Sequence, residues 1–161
     1  MNEVSSGSPS VVGLISDTHG LLRPQAVEAL RGSRHIIHAG DVGAPEVLEG
    51  LGALAPVTAI RGNNDHDAWA RRLPLTNTLE IHGVRLYVIH DIHMLDVDLQ
   101  RSRVAVVIAG HSHRPDVSKR DGVLVVNPGS AGPRRFRLPV SVACLTIAEG
   151  RVNARLITLD V

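Results

Sequence analysis

Val11-Val12-Gly13-Leu14-Ile15-Ser16-Asp17-Thr18-His19 is an apolar run that stops abruptly on an acid and an imidazole. Its first five residues read as a buried strand. The same pattern recurs along the chain. Ile36-Ile37 leads into His38-Ala39-Gly40-Asp41, and the run at 57–60 leads into Arg61-Gly62-Asn63-Asn64-Asp65. The run at 85–89 leads into His90-Asp91, and the one at 104–109 into Gly110-His111-Ser112-His113. Between the first three runs lie stretches with helical spacing, residues 23–30 and 45–54, the second opening on Pro45 where a first helical turn tolerates it. This is a βαβαβ opening, and connections of that length favour parallel strands with helices covering the sheet.

The second half of the chain changes character. Residues 78–81 and 84–89 flank His82-Gly83 as a hairpin does, residues 116–119 and 123–126 flank Arg120-Asp121-Gly122, and residues 140–147 and 152–158 flank Glu149-Gly150. A second, partly antiparallel sheet follows from the first two of these turns, and the third makes one more hairpin at the C-terminal end. The expected fold class is α/β, with two face-to-face mixed β-sheets flanked by helices. One domain is expected over residues 11–161, after a disordered tail over residues 1–10.

Composition narrows the function. At 161 residues the chain suits one core. With 43% hydrophobic and 20% charged residues it has the balance of a folded soluble protein. Aromatics supply only 2%, so the core is built from Val, Leu, Ile and Ala, which suits strands with helices packed on them. A formal charge of +1 provides no broad basic surface, and nucleic-acid binding is not indicated. Cys144 is the single cysteine, which excludes an internal disulfide and a thiolate zinc site and fits a reducing, cytoplasmic setting. No apolar run approaches the roughly 20 residues of a membrane span, and the opening residues have no apolar stretch that would serve as a signal peptide.

Metal-binding side chains at the ends of five apolar runs are the informative feature. In parallel α/β sheets the loops after the strands converge on one crevice, where ligands bind. Gly40, Gly62 and Gly110 stand next to three of the clusters, where close backbone approach calls for a residue without Cβ. Taken singly, each His or Gly is ordinary loop punctuation. Taken together they point to a metal site.

The series Asp17-x-His19, Gly40-Asp41, Gly62-Asn63-x-Asp65, His90 and Gly110-His111-x-His113, extended by Asn127-Pro128-Gly129-Ser130, resembles the signature of calcineurin-like metallophosphoesterases, most closely the small bacterial and archaeal phosphodiesterase branch. That resemblance implies a four-layer sandwich holding two divalent metal ions. Asp17, His19 and His113 would hold the first, Asn63, His90 and His111 the second, and Asp41 would bridge both. Mn²⁺ is the ion the resemblance favours, and the mixed imidazole, carboxylate and amide donors also suit Ni²⁺, Fe²⁺, Zn²⁺ or Co²⁺. The implied reaction is hydrolysis of a phosphoester, most directly a phosphodiester, by a hydroxide bridging the ions, with Asp41, Asn63 and His111 at its centre. A neutral amide at Asn63 coordinates without cancelling the positive charge that attracts an anionic ester.

Departures from the family pattern qualify the reaction. Many members have His where this chain has Asn64, and an amide cannot donate a proton as an acid does, which biases activity toward esters whose leaving groups need little protonation. His66 is a weak candidate to replace it. Asp91 stands where Gly is common and has two readings, a hydrogen-bonding partner for a ligand imidazole or a solvated loop charge. His38 has the same two readings, and for both the structural one is favoured. Asp65 is expected to fix the Asn63 loop. Arg61, Arg134 and Arg135 lie near the motifs and could meet substrate phosphate, with surface solubility the favoured role for at least two of them. Two other functions compete: a phosphomonoesterase acting on phosphoproteins or small metabolites, and a non-catalytic scaffold like the retromer subunit of the same fold, which departs from the catalytic residue set. A phosphoester substrate is the expected partner, with no membrane. A homo-oligomer joined through the final strand is also open.

Overall fold

The computed structural model describes residues 9–161, so residues 1–8 of the expected tail lie outside the described residues, and Ser10 already opens the first strand. Strands β1 (Ser10–Ile15), β2 (His35–His38) and β3 (Val57–Ala59) alternate with helices α1 (Pro24–Leu30) and α2 (Pro45–Gly52). The three strands pair in parallel, with Ile15 opposite His38 and His38 opposite Ala59. Both helices start on proline, whose fixed φ suits a first turn and whose missing N–H is not needed there. Helix α2 stops two residues short of the expected 45–54. Leu54 and Ala55 instead turn back onto the Leu51 carbonyl, ahead of Pro56, whose ring disfavours helical geometry before it.

Strands β4 (Thr76–Ile81), β5 (Val84–Ile89), β6 (Val106–Ile108), β7 (Asp116–Arg120) and β8 (Val123–Asn127) form the second sheet in the order β4-β5-β6-β8-β7. The β6 ladder is narrower than the apolar run at 104–109, although the Ala105 and Ala109 N–H groups still bond to Arg85 and Val126 carbonyls. Strands β9 (Ser141–Ala148) and β10 (Arg151–Thr158) close the chain as a hairpin. All three hairpins turn on two residues with positive φ: His82-Gly83, Asp121-Gly122 and Glu149-Gly150. That is the turn whose twist matches paired strands. Arg120 therefore belongs to β7 and not to the turn.

The C-terminal hairpin does not extend the second sheet. It joins the first, in the order β10-β9-β1-β2-β3, with β9 antiparallel to β1. Alternation along β1 explains the layering. Val12 and Leu14 face the other sheet, in a core shared with Leu86, Val88, Val106, Ile108 and Leu145. Ile15 faces the opposite way, against Ala26, Leu30, Val47 and Leu51 of the two helices. Each such fully buried Leu or Ile contributes about 1.5–3 kcal/mol. Both α-helices cover the first sheet. The outer face of the second is covered by Ile92, Leu95, Val97 and Leu99 of the β5–β6 connection, which contains one short 3-10 turn, Ile92–Met94.

Candidate metal centre

The loops after β1 and β2 run side by side beyond the sheet. Asp17 N–H donates to Gly40 C=O at 3.0 Å, His19 N–H to Asp41 C=O at 3.0 Å, and Gly20 N–H to Val42 C=O at 2.8 Å. The loop after β6 is tied to the β5 end through Gly110 N–H to His90 C=O at 2.9 Å, and to Asp17 through His111 N–H to its Oδ2 at 3.1 Å. Ser130 closes the other side, its hydroxyl donating to Asp17 C=O at 3.0 Å. These links bring all seven expected metal ligands into one cluster.

The cluster is bought with backbone strain. Asp17, His19, Asp41, His111 and His113 all have φ between 46° and 71°, a region that costs a side-chain-bearing residue energy. Two glycines fit around them. A Cβ at Gly40, whose φ is +103°, would come within 2.6 Å of His90 Nδ1, and one at Gly62 would collide with the Asp41 backbone and carboxylate.

Within the cluster, polar atoms face each other without bonding. Asp17 Oδ1, His19 Nε2 and His90 Nε2 are buried and have no hydrogen-bond partner among the described residues. His19 Nε2 lies 3.9 Å and His90 Nε2 3.8 Å from Asp17 Oδ1, with His113 Nε2 at 3.4 Å. Asp41 Oδ2 lies 3.7 Å from His19 Nε2 and 3.3 Å from His90 Nε2, ion-pair distances without hydrogen-bond geometry. Leaving such groups buried and unpaired is costly. A cation among them would meet every one. Asp17 with His19 and His113, and Asp17 with Asp41 and His90, are each spaced to hold an ion. His111 Nδ1 and Asn63 Oδ1 are 3.1 Å apart, close to the roughly 3 Å between neighbouring donors on an ion with bonds near 2.1 Å. Oxygen and nitrogen donors of this kind fit divalent metal ions.

The imidazoles fall into two pairs. His19 and His113 have ring centroids 5.4 Å apart, and His90 and His111 meet edge to face at 5.2 Å. Asp17 and Asp41 both stand between the pairs, so each carboxylate reaches donors on both sides. They differ in their holders. Asp17 Oδ2 accepts from Ser16 Oγ at 2.7 Å and from His111 N–H, leaving Oδ1 free. Asp41 accepts from Asn64 twice, from the backbone N–H at 2.8 Å and from Nδ2 at 3.0 Å. Burial alone would raise the Asp41 carboxyl, but the His90 ring and the two Asn64 donors outweigh it and hold it well below the usual carboxylate range. Burial likewise opposes ionisation of Asp17, and His113, His90 and Ser16 lower it overall. Burial would lower His90, yet Asp41, Asp17 and the Ala39 carbonyl raise it.

The remaining candidates sort by contact. Asp65 is buried and accepts three backbone N–H groups, from Val42, Gly43 and Gly62, so it fixes the Asn63 loop to the Asp41 loop. His38 is fully buried, and burial lowers its pKa to about 4. Its Nδ1 accepts from Gly40 N–H at 3.1 Å, which leaves Nε2–H to donate to Thr18 Oγ1 at 2.9 Å, and Thr18 donates on to Val42 C=O at 2.8 Å. This is a structural relay beneath the site. Asp91 accepts from His93 N–H at 3.0 Å as a loop charge, and its other oxygen lies 3.8 Å from His111 Nε2, too far for a hydrogen bond. Asn64 grips Asp41. His66 is exposed and lines neither cleft beside the site. Trp69 packs with the helices. Ser16 and Thr18 escaped the sequence reading because a hydroxyl next to a motif residue carries no spacing signal.

Two clefts meet at Asp91 and His111. One, about 670 Å³, runs past Arg61, Asn63 and His90 and is walled by Leu75, Tyr87 and Met94. The other, about 250 Å³, runs past Ser112 and Asn127 toward Arg114 and Arg120. Arg61 has a buried Nε without a partner among the described residues. Asn127 donates from Nδ2 to Gly110 C=O at 3.0 Å and to Ser112 Oγ at 3.1 Å, shaping the second cleft.

The fold is that of the calcineurin-like metallophosphoesterases. The family model of the calcineurin-like phosphoesterase superfamily domain matches residues 11–150, and the chain belongs to that superfamily. A probable metallophosphoesterase of Methanothermobacter thermautotrophicus is 34% identical, the match covering 91% of each chain. A phosphodiesterase of Methanocaldococcus jannaschii is 29% identical, covering 73% of this chain and 82% of that one. Among solved structures, vacuolar protein sorting 29 of Cryptosporidium parvum shares the fold with a TM-score of 0.74 at 19% identity, covering 95% of this chain and 99% of that one.

Proposed function

We propose that this chain is a phosphodiesterase working with two divalent metal ions, Mn²⁺ first among them, in a single domain. Asp17, His19 and His113 would hold one ion, Asn63, His90 and His111 the other, with Asp41 between them. When bound, the ions supply an activated water and charge stabilisation for the phosphoryl oxygens. The observation that carries the reading is the set of buried, unpartnered polar atoms of Asp17, His19 and His90, beside the larger of two clefts that meet at His111. A phosphodiester has two organic arms, and a cleft on either side of His111 gives each arm a place.

The chain's own residues do the rest. Asn64 keeps Asp41 ionised and oriented, and Asp91 faces the His111 ring nitrogen turned away from Asn63. Arg61, in the wall beside Asn63, is placed to hold a phosphoryl oxygen. No acidic side chain takes the position of Asn64, which favours substrates with good leaving groups. The filled set of expected ligands argues against the scaffold alternative. A cytoplasmic location suits the single cysteine, and no helix among the described residues is long and apolar enough to cross a membrane. Strand β10 lies at a sheet edge, where a second copy could pair.

The test is metal-depleted protein assayed with Mn²⁺, Ni²⁺, Zn²⁺ and Mg²⁺ on bis-p-nitrophenyl phosphate and p-nitrophenyl phosphate. Faster cleavage of the diester is expected. Faster cleavage of the monoester would favour the phosphomonoesterase, and no turnover with any ion would favour the scaffold.

A further inference from the structure

The segment Pro133-Arg134-Arg135-Phe136-Arg137-Leu138-Pro139 holds three arginines and the chain's single phenylalanine, with no acidic residue. Its base is fixed beside the metal centre. Ala131 N–H donates to Ser16 C=O at 3.0 Å, and the Arg23 guanidinium donates to Gly132 C=O at 3.3 and 3.2 Å. A Cβ at Gly132 would collide with the backbone of Asp17 and Thr18, so the segment leaves the site at the closest possible approach. Leu138 N–H then bonds to Arg135 C=O at 3.1 Å, closing a turn with Phe136 and Arg137 at its tip.

Phe136 is unusual twice over. It is 87% exposed, the largest exposure among the big hydrophobic side chains. Its φ is +54°, where a bulky residue is strained. A chain with so few aromatic residues gains nothing for its core by holding one of them strained and in water.

The tip is continuous with the hydrolytic site. Arg114 follows His113 and lines both the 250 Å³ cleft that opens at His111 and the shelf formed by Phe136, Arg137 and Leu138. The arginine ion pairs among the described residues are Arg31–Glu28 and Arg85–Glu80, so Arg114 and Arg137 keep their charges for other partners. Asp91 and Asp116 line the inner cleft, which places the anion-binding end at Arg114 and Arg137, outside them.

An exposed ring flanked by arginines one cleft away from a phosphoester site matches the physical requirements for a nucleotide, whose base stacks on an aromatic face while its phosphate meets guanidinium groups. We propose that Phe136, Arg137 and Arg114 form a subsite for the nucleotide arm of the phosphodiester substrate, the base stacked on Phe136 and a further phosphate held by the two arginines. The occupant is a short nucleotide. The overall charge of +1 gives no track for a long polymer or an anionic bilayer. This inference rests on the phosphodiesterase reading for its substrate and on the Phe136 turn for its site.

The test separates the two. Full-length protein with Mn²⁺ is assayed on the p-nitrophenyl ester of thymidine 5′-monophosphate and on methyl p-nitrophenyl phosphate, diesters with the same leaving group. In Phe136→Ala the ratio of kcat/KM for the nucleotide ester to that for the methyl ester falls about tenfold, while the methyl ester itself is unchanged, the size expected for loss of one base–ring stack. Arg137→Gln weakens cleavage of 5′-phosphorylated dithymidylate more than that of unphosphorylated dithymidylate. Binding of dithymidylate to metal-free protein, followed by NMR, weakens in parallel in Phe136→Ala. Ratios and binding that stay within about twofold of the native protein overturn the subsite. If the native protein cleaves no diester, the phosphodiesterase reading fails, and the dithymidylate titration alone decides the subsite.

Discussion

The two imidazole pairs of the proposed centre share two carboxylates but live in different surroundings. His113 is 3% exposed and packs with His19 over the fully buried Asp17, while His111, with a side chain 44% exposed, pairs with His90 beside the exposed Asn63. The first pair is part of the fold. Its donors are desolvated whether or not a cation is present, so the protein carries the cost of burial in advance. In the second pair His90 is about as buried as His113, but His111 is half in water and lines both clefts, where it and Asn63 can stay hydrated until a substrate displaces the water. The contrast is between His113 and His111: in the proposed centre a deeply buried donor suits retention of an ion, and a half-exposed one suits access.

Substitution of the residue common to both halves should have the largest effect. In Asp41→Ala, metal bound per chain, measured by elemental analysis, falls at both positions, and diester hydrolysis drops on the order of 10³-fold. Retention of one tightly bound ion would show that Asp17, His19 and His113 hold it without Asp41. Next come the halves taken separately. His113→Ala should lose the tighter ion and lower the melting temperature of the metal-loaded protein. His111→Ala should keep that ion, lose the weaker one and melt close to the native protein, as an Mn²⁺ titration followed by calorimetry would read. Equal losses in the two variants would break the distinction between a retaining and an accessible half.

Smaller effects lie around the ligands. Asn64→Ala removes one of the two hydrogen bonds that hold Asp41 and should cost about tenfold in Mn²⁺ affinity or turnover, the lower end of what such supporting contacts carry. An unchanged affinity would mean that the Asn64 backbone N–H is enough.

The last test concerns the relay beneath the buried half. His38 is neutral in the folded state, with its pKa lowered to about 4, whereas the unfolded chain takes up the proton near 6.5. The His38 contribution to stability is therefore full above pH 6.5 and is lost as the pH falls from there toward 4, by roughly 2–4 kcal/mol in total, while the raised His90 acts in the opposite sense in both proteins. His38→Gln should flatten the urea-unfolding free energy over that window relative to the native protein. Asp17 and Asp41, lowered from a value already below 4, act at more acidic pH in both proteins. An identical slope in the two would remove His38 as the cause.

Much of the architecture was legible in advance. The runs at 11–15, 36–37, 57–60 and 85–89 became strands because apolar side chains must be buried, and the three x-Gly turns closed where left-handed backbone is cheapest. What was not legible was partnership. The hairpin of β9 and β10 shows no local mark of the sheet it joins, since pairing with β1 depends on a surface distant in sequence. The helical cover also had to be seen, because one outer face is closed by the irregular residues 92–99, whose apolar side chains carry no regular period.

For the site, the sequence by itself determined which residue types stand at five strand ends, since strand length and loop chemistry are local. How they meet came from packing alone: the contrast between buried His113 and half-exposed His111, the grip of Asn64 on Asp41, the inward turn of His38, and the reach of Arg114 toward Phe136. Those relations depend on distances between segments far apart in the chain, such as Asp17 and Ser130, 113 residues apart, and such distances are fixed by packing.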